Sequence, residues 1–187
     1  DSWSSRGGAL AGLGAVSAQI RAIAETSGVP IVSNPPLARA LFKVPVDDAV
    51  PELGTTVGEA LLTPTRIYAR PVRRILQHYK VKNVVHGMAH ITGGGLAGNL
   101  ERILPEGVQA ILERGSWPIP PVFSWLQKLG GIEQDEMERV FNMGIGLAMV
   151  FSPYYETTIT SMLADCGLQY WKVGEVAAGK RGVVWRT

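Results

Sequence analysis

A chain of 187 residues that is 46% hydrophobic and 18% charged has the composition of a globular protein with one sizeable core, not of a disordered or fibrous one. Its 18 basic and 16 acidic residues leave a net charge of only +2 and are scattered apart from short clusters such as Arg70 to Arg74, so the concentrated basic stripe of a nucleic-acid binder is absent. A single cysteine, Cys166, closes no internal disulfide, which fits a reducing, cytoplasmic setting, and no apolar run approaches the roughly 18 residues that span a bilayer.

Residues 1–8, rich in Ser and Gly and without an initiator Met, read as a processed or appended end. From Ala9 to Glu25, Leu10, Leu13, Val16, Ile20, Ile23 and Ala24 recur at three- and four-residue steps and predict a helix that Gly28 stops. Val29 to Val32 predicts a short strand, and Ser33-Asn34-Pro35-Pro36 starts a helix with Leu37, Ala40 and Leu41 on its buried side. An isolated helix-strand-helix buries too little apolar surface to persist, so Val29 to Val32 is expected to pair into the same sheet as Val84 to Ile91.

After a turn at Pro51 to Gly54, Val57 to Leu62 reads as a helix ended by Pro64, Thr65 to Ala69 as a strand, and Pro71 as the start of a helix carrying Val72, Ile75, Leu76 and Tyr79. A strand over Val84 to Ile91, a turn at Gly93-Gly94-Gly95 and a helix with Leu96, Leu100 and Ile103 follow, then a strand at Val108 to Leu112. Trp117 to Pro121 reads as a rigid loop, Val122 to Leu129 as a helix closed by Gly130-Gly131, and Asp135 to Phe141 as a helix with acids at its positive end. Gly144 to Phe151 reads as a strand, Tyr155 to Ala164 as a helix, and Gln169 to Val176 and Gly182 to Arg186 as closing strands. This alternation predicts an α/β (α+β) domain with a single mixed sheet covered by helices.

The chemistry centres on His90-Ile91-Thr92-Gly93-Gly94-Gly95. Three glycines permit positive φ three times running, with amides open to an anion, and His90 and Thr92 bring polar groups to the same opening. The alternative is a tight connection that binds nothing, with His90 satisfied by a backbone carbonyl. His86 lies on the same face by period-two alternation, but no further Cys or His completes a zinc set, so no metal is expected. Asn142 to Gly146 lets the backbone approach closely, for packing or for a ligand. Arg66 suits either a phosphate or a surface ion pair. Trp117, Trp125, Trp171 and Trp185 read as core or interface aromatics, and Cys166, with no basic neighbour in sequence, as a passive thiol.

His90 to Leu96 with Asn99-Leu100-Glu101-Arg102-Ile103-Leu104-Pro105, Gly58-Glu59-Ala60-Leu61-Leu62-Thr63-Pro64-Thr65-Arg66-Ile67-Tyr68, Gly115-Ser116-Trp117-Pro118, Phe141 to Gly146 and Trp171 to Glu175 together resemble the C-terminal domain of the aminoimidazole ribonucleotide synthetase (PurM) family, over about residues 50–185. The resemblance implies a cyclo-ligase of purine biosynthesis, in which ATP activates an amide oxygen of formylglycinamidine ribonucleotide and a nitrogen closes the imidazole ring. It implies a catalytic role for His90 and substrate or phosphate contacts from Arg66, Thr92, Gly93, Gly94, Gly95, Asn99 and Asn142. ATP and magnesium are expected only with an N-terminal half whose motifs do not occur here, so the chain alone is expected to be inactive. The expected partners are a sugar-phosphate substrate and either that ATP-binding half or further copies of the chain, with no nucleic acid and no membrane.

Ile20 to Glu25, Gly28 to Val32 and Asn34 to Leu41 resemble a different family, the cytoplasmic domain of the flagellar and type III secretion export switch (FlhB and its relatives), over about residues 10–46. The self-cleaving Asn-Pro-Thr-His motif of that family is absent. The two resemblances together suggest a chimera, divided into an end at 1–8, an export-switch-like segment at 9–50 packed on the main domain, and a cyclo-ligase-like domain at 51–187. The competing functional class is a non-enzymatic scaffold or protein-binding domain.

Overall fold

Apolar residues from Val85 to His90 and from Leu147 to Phe151 zip together as antiparallel strands, with Ala89 opposite Ala148 and His90 opposite Leu147. The computed structural model describes residues 18, 19, 22, 23, 26 and 35–186. Residues 1–34 and 35–187 are separate compact units. In the first, the five described positions are helical, within or one residue beyond the span the periodicity indicates, and the Thr26 hydroxyl donates to the carbonyls of Ala22 and Ile23 at 3.0 and 2.9 Å. Val29 to Val32, and with it the expected pairing to the central strand, lies outside the described residues.

The second unit runs α1 (Pro35–Phe42), β1 (Ala49–Val50), β2 (Thr55–Thr56), α2 (Val57–Leu61), α3 (Ala69–His78), β3 (Val85–His90), α4 (Gly95–Glu101), β4 (Val108–Glu113), α5 (Pro121–Gly130), α6 (Gln134–Val140), β5 (Leu147–Phe151), a 3-10 turn (Pro153–Tyr155), α7 (Glu156–Ala164), β6 (Gly174–Ala178) and β7 (Gly182–Arg186). The mixed α/β class follows the expectation from sequence. Among the described residues, however, the strands form three small sheets and not one: β1 with β2, β3 with β5, and a mixed sheet in which β4 runs antiparallel to β6 and parallel to β7.

Two apolar clusters hold these layers. Ala89 and Ile91 at the end of β3, Leu96 and Leu100 of α4, Leu112 of β4, Met137 of α6 and Ala148 of β5 form the larger, into which α1 inserts Leu37 while packing on α5. Trp117 is buried in it, and Trp125, Trp171 and Trp185 pack partly buried against it. Ile75 of α3, Val84, and Ile159 and Met162 of α7 make the smaller. Each fully buried Ile contributes about 1.5–3 kcal/mol, so these few contacts suffice to fix α3 against α7.

Several boundaries differ from the pattern-based reading, each for a local reason. Residues 62–68 form no strand: Ile67 is 83% exposed, and among the described residues no strand stands beside the Thr65 to Ala69 alternation for it to pair with. The following helix starts at Ala69, and Pro71 sits in its first turn, where a missing N–H costs no intrahelical bond. Strand β5 begins only at Leu147, because Met143 (φ 48°) and Gly144 (φ 98°) turn the chain before it. The strand expected over Gln169 to Val176 begins at Gly174, where pairing with Leu112 starts. Helix α2 carries a capping box that fixes its start: Thr56 Oγ1 accepts the Glu59 N–H, while the Glu59 carboxylate accepts from the Thr56 N–H and from the Thr55 hydroxyl.

Candidate functional site

Beyond His90 the chain leaves β3 through Ile91, which is buried and donates its N–H to the Gly146 carbonyl at 2.9 Å. The Gly95 N–H then bonds back to the Thr92 carbonyl at 3.2 Å, closing the glycine turn. Positive φ occurs at two of the three glycines, Gly94 (100°) and Gly95 (64°), and not at Gly93. Residue 95 admits no side chain, since a Cβ there would lie 1.8 Å from the Glu138 carbonyl oxygen, so α4 begins in direct contact with the end of α6. Of the turn amides, Gly95 is committed, while those of Gly93 and Gly94 find no acceptor among the described residues.

Asn99 is the buried polar residue beneath this turn. Its Nδ2 donates to the carbonyls of Gly95 (2.8 Å), Thr92 and Gly93 (both 3.3 Å), so the side chain clamps the turn from inside. Its Oδ1 accepts from Arg102 Nη1 at 3.4 Å, which brings the Arg102 guanidinium to 3.9 Å from where a Gly94 Cβ would stand. Among the described residues no carboxylate pairs with Arg102, leaving a cation beside the open amides. The sequence reading placed Asn99 against a ligand and passed over Arg102. Their spacing of three residues was the available signal, since Arg102 caps α4 in helical conformation and so neighbours Asn99.

His90 is exposed at the end of β3, and the ring of Tyr68 meets it edge-on, with centroids 6.1 Å apart and planes at 63°. Asn142 Oδ1 accepts the Gly144 N–H at 3.0 Å and so shapes the 142–146 turn, whose Gly146 carbonyl holds Ile91. His90, Thr92, the glycines, Asn99 and Asn142 are therefore brought together in two adjoining turns, with the two asparagine side chains bonded to backbone. Arg66 is exposed two residues before Tyr68, in the stretch that forms no strand. His86 occupies a bulge, since Val85 opposes Phe151 and Gly87 opposes Val150, so simple alternation does not carry the face of His90 back to it.

No group of three or more His, Cys, Asp or Glu is placed to hold a metal ion among the described residues. A cavity of about 170 Å³, lined by Leu96, Arg114, Trp117, Glu138, Met143 and Trp185 among others, includes neither His90 nor the glycines. Its polar groups are already partnered: Arg114 pairs with Glu138 and lies 5.0 Å from the Trp185 ring centre, and Trp117 Nε1 donates to the Met143 carbonyl at 2.9 Å. Cys166 does have a basic neighbour, supplied by α3 from far along the chain: Arg74 Nη1 lies 3.6 Å from its sulfur and Nη2 pairs with Asp165 at 2.8 Å. Among the described residues no helix is long and apolar enough to cross a membrane.

The family described as AIR synthase related protein, C-terminal domain, matches residues 7–186. Phosphoribosylformylglycinamidine cyclo-ligase of Paraburkholderia phymatum is 45% identical over 148 residues, covering 76% of this chain and 41% of that protein. The protein of the same name from Pseudothermotoga lettingae is 44% identical over 144 residues, covering 77% of this chain and 41% of its own length. The chain thus spans about two fifths of the length of these relatives. The family match runs through residues 10–46 and across the division at 50/51, so it gives no support to an export-switch-like segment or to a chimera. The chain belongs to the AIR synthase related family and carries its C-terminal domain.

Proposed function

We propose that these 187 residues are the C-terminal part of a phosphoribosylformylglycinamidine cyclo-ligase and form one wall of its sugar-phosphate cleft, with His90, Thr92, Gly93 and Gly94 facing the substrate. The observation that carries this reading is the 45% identity to a cyclo-ligase in a chain whose exposed histidine is followed by two turn amides without an acceptor, and by an arginine without a carboxylate, among the described residues. Free N–H groups with a guanidinium beside them suit phosphate oxygens. An imidazole at the rim suits proton transfer as the ring closes. Asn99 and Asn142 act behind this surface by holding the turns, and Arg66 lies in the exposed stretch that leads to Tyr68.

ATP and magnesium are assigned to the portion of the relatives beyond this match, as the family resemblance implies. The 187 residues alone are then inactive. No observation favours the competing reading, a protein-binding scaffold related to the export switch. The test is complementation: the chain is mixed with the remaining portion of the Paraburkholderia relative, and imidazole formation from phosphoribosylformylglycinamidine and ATP is followed. Turnover in the mixture and in neither part alone is expected. A folded, associated mixture without turnover would overturn the reading, and turnover by the chain alone would overturn its inactivity.

A further inference from the structure

Gly146 has an ordinary backbone conformation, so its lack of a side chain answers to space and not to φ. The space is taken by Tyr68. A Cβ on residue 146 would lie 2.2 Å from the Tyr68 hydroxyl oxygen, 3.0 Å from Cζ and 3.1 Å from Cε2, so the ring lies directly over the Gly146 backbone. That backbone is tied to the site, since the Gly146 carbonyl accepts the N–H of Ile91, the residue after His90, and Leu147 pairs with His90 itself. The same ring presents its edge to the imidazole at 6.1 Å. Notch, ring and imidazole form one packed unit spanning three segments of the chain.

The stretch leading to Tyr68 has little else to hold it. Residues 61–67 are all exposed, with Leu62 at 82%, and among the described residues their side chains make one hydrogen bond, from the Thr63 hydroxyl to the Glu59 carbonyl within the preceding helix. Tyr68 is the first residue of this run to be half buried, and α3 begins immediately after it.

We propose that Tyr68 is a positioning residue for His90: seated in the notch left by Gly146, its ring limits the imidazole to one orientation and pins the exposed strap 62–67, with Arg66, beside the glycine turn. The proposal rests on the reading of His90 as substrate-facing, but the contact is independent of any substrate. The ring edge is the working part, because offset and edge-on aromatic pairs need the π-face and edge and not the hydroxyl. Phenylalanine should therefore replace Tyr68, while alanine should not.

The test is a double-substitution cycle on the intact chain, read by the His90 imidazole signals in proton-nitrogen NMR, assigned by their loss in His90→Gln. Tyr68→Phe should leave these signals in place, while Tyr68→Ala and Gly146→Ala should each move them and broaden the amides of residues 62–67. Gly146→Ala in the Tyr68→Ala background should add nothing, since its effect passes through the ring. Should Tyr68→Ala unfold the chain, Tyr68→Leu, which fills the notch without an aromatic edge, replaces it with the same expected shift. Unmoved His90 signals in a folded Tyr68→Ala or Tyr68→Leu chain would overturn the proposal, as would an undiminished Gly146→Ala effect without the ring. Because no substrate is present, failure of the cleft reading in the complementation assay would not be mistaken for failure of this one.

Discussion

The carbonyl oxygen of Glu138 stands where a side chain on Gly95 would have to begin, 1.8 Å from the position of its Cβ. Gly95→Ala therefore has to move α4 away from α6 or abandon the left-handed backbone at φ 64°. Left-handed strain alone costs about 1–2 kcal/mol, and displacing packed backbone adds to it, so a loss of about 3 kcal/mol is expected. Gly98, one turn on in the same helix with nothing within 4 Å of a Cβ, is the control. Gly98→Ala should stabilise by about 0.5–1 kcal/mol through helix propensity. Denaturant melts of the two variants check the contrast.

Asn99→Ala removes the donor shared by three carbonyl oxygens of the glycine turn; the Thr92 oxygen keeps the Gly95 N–H, while the Gly93 oxygen is left to find water or go unpaired. A cost of about 1–3 kcal/mol is expected. Asn99→Asp should be worse at neutral pH, because a buried carboxylate would face those same oxygens with no proton to offer. Amide hydrogen exchange at residues 92–98 should rise in both variants, and unchanged protection there would refute the clamp.

How far the sequence revealed this arrangement depends on how local the cause is. Gly182 to Arg186 is a strand as periodicity predicts, and the helix from Glu156 is nearly so, because apolar spacing within each segment is itself the cause. Thr65 to Ala69 has the alternation of a strand but no neighbour to pair with among the described residues, and neighbours are not written in a local pattern. Likewise the glycine turn after His90 was legible from residue types, whereas the packing of Tyr68 against His90 was not, since it involves Gly146, far along the chain. The inward turn of Asn99 was equally hidden: an asparagine beside a glycine turn serves ligand and backbone equally well until its partners are seen.

The Glu59 carboxyl is held below the usual carboxylate range first by the Thr55 hydroxyl and then by the Thr56 N–H. A depressed folded value means that the cap contributes stability above the unfolded carboxylate pKa, and that this contribution is lost as pH falls through the folded one. Following the Glu59 carboxyl carbon by NMR should give a midpoint below that of a free glutamate, and Thr55→Val should return it upward. An unchanged midpoint in Thr55→Val would show that the hydroxyl does not reach the carboxylate.

Phe42, Val46, Leu62 and Ile67 are exposed at 67%, 64%, 82% and 83%, a high apolar exposure for one stretch of chain. In the relatives some three fifths of the protein lies beyond the matched part, and surface of this kind is what a neighbouring domain covers. The 187-residue chain should therefore associate with itself as its concentration rises. Leu62→Lys with Ile67→Lys should shift it towards monomer in sedimentation velocity. A concentration-independent monomer with no binding of a hydrophobic dye would contradict this.

The most direct measurement titrates the chain with phosphoribosylformylglycinamidine while following backbone amides, with inorganic phosphate as the simpler competitor. The account predicts saturable shifts at Thr92, Gly93 and Gly94 and in the 142–146 turn, with millimolar affinity, about −4 kcal/mol. Loss of a charge-assisted hydrogen bond is worth about 1.5–3 kcal/mol, so Arg102→Ala should weaken binding by about tenfold or more. Gly94→Val should abolish it, since φ of 100° excludes a β-branched residue. His90→Ala should weaken the ribonucleotide more than inorganic phosphate. Shifts confined to other parts of the chain, or none at Thr92 to Gly94 at saturating ligand, would contradict the assignment of this turn and of His90 to the substrate cleft.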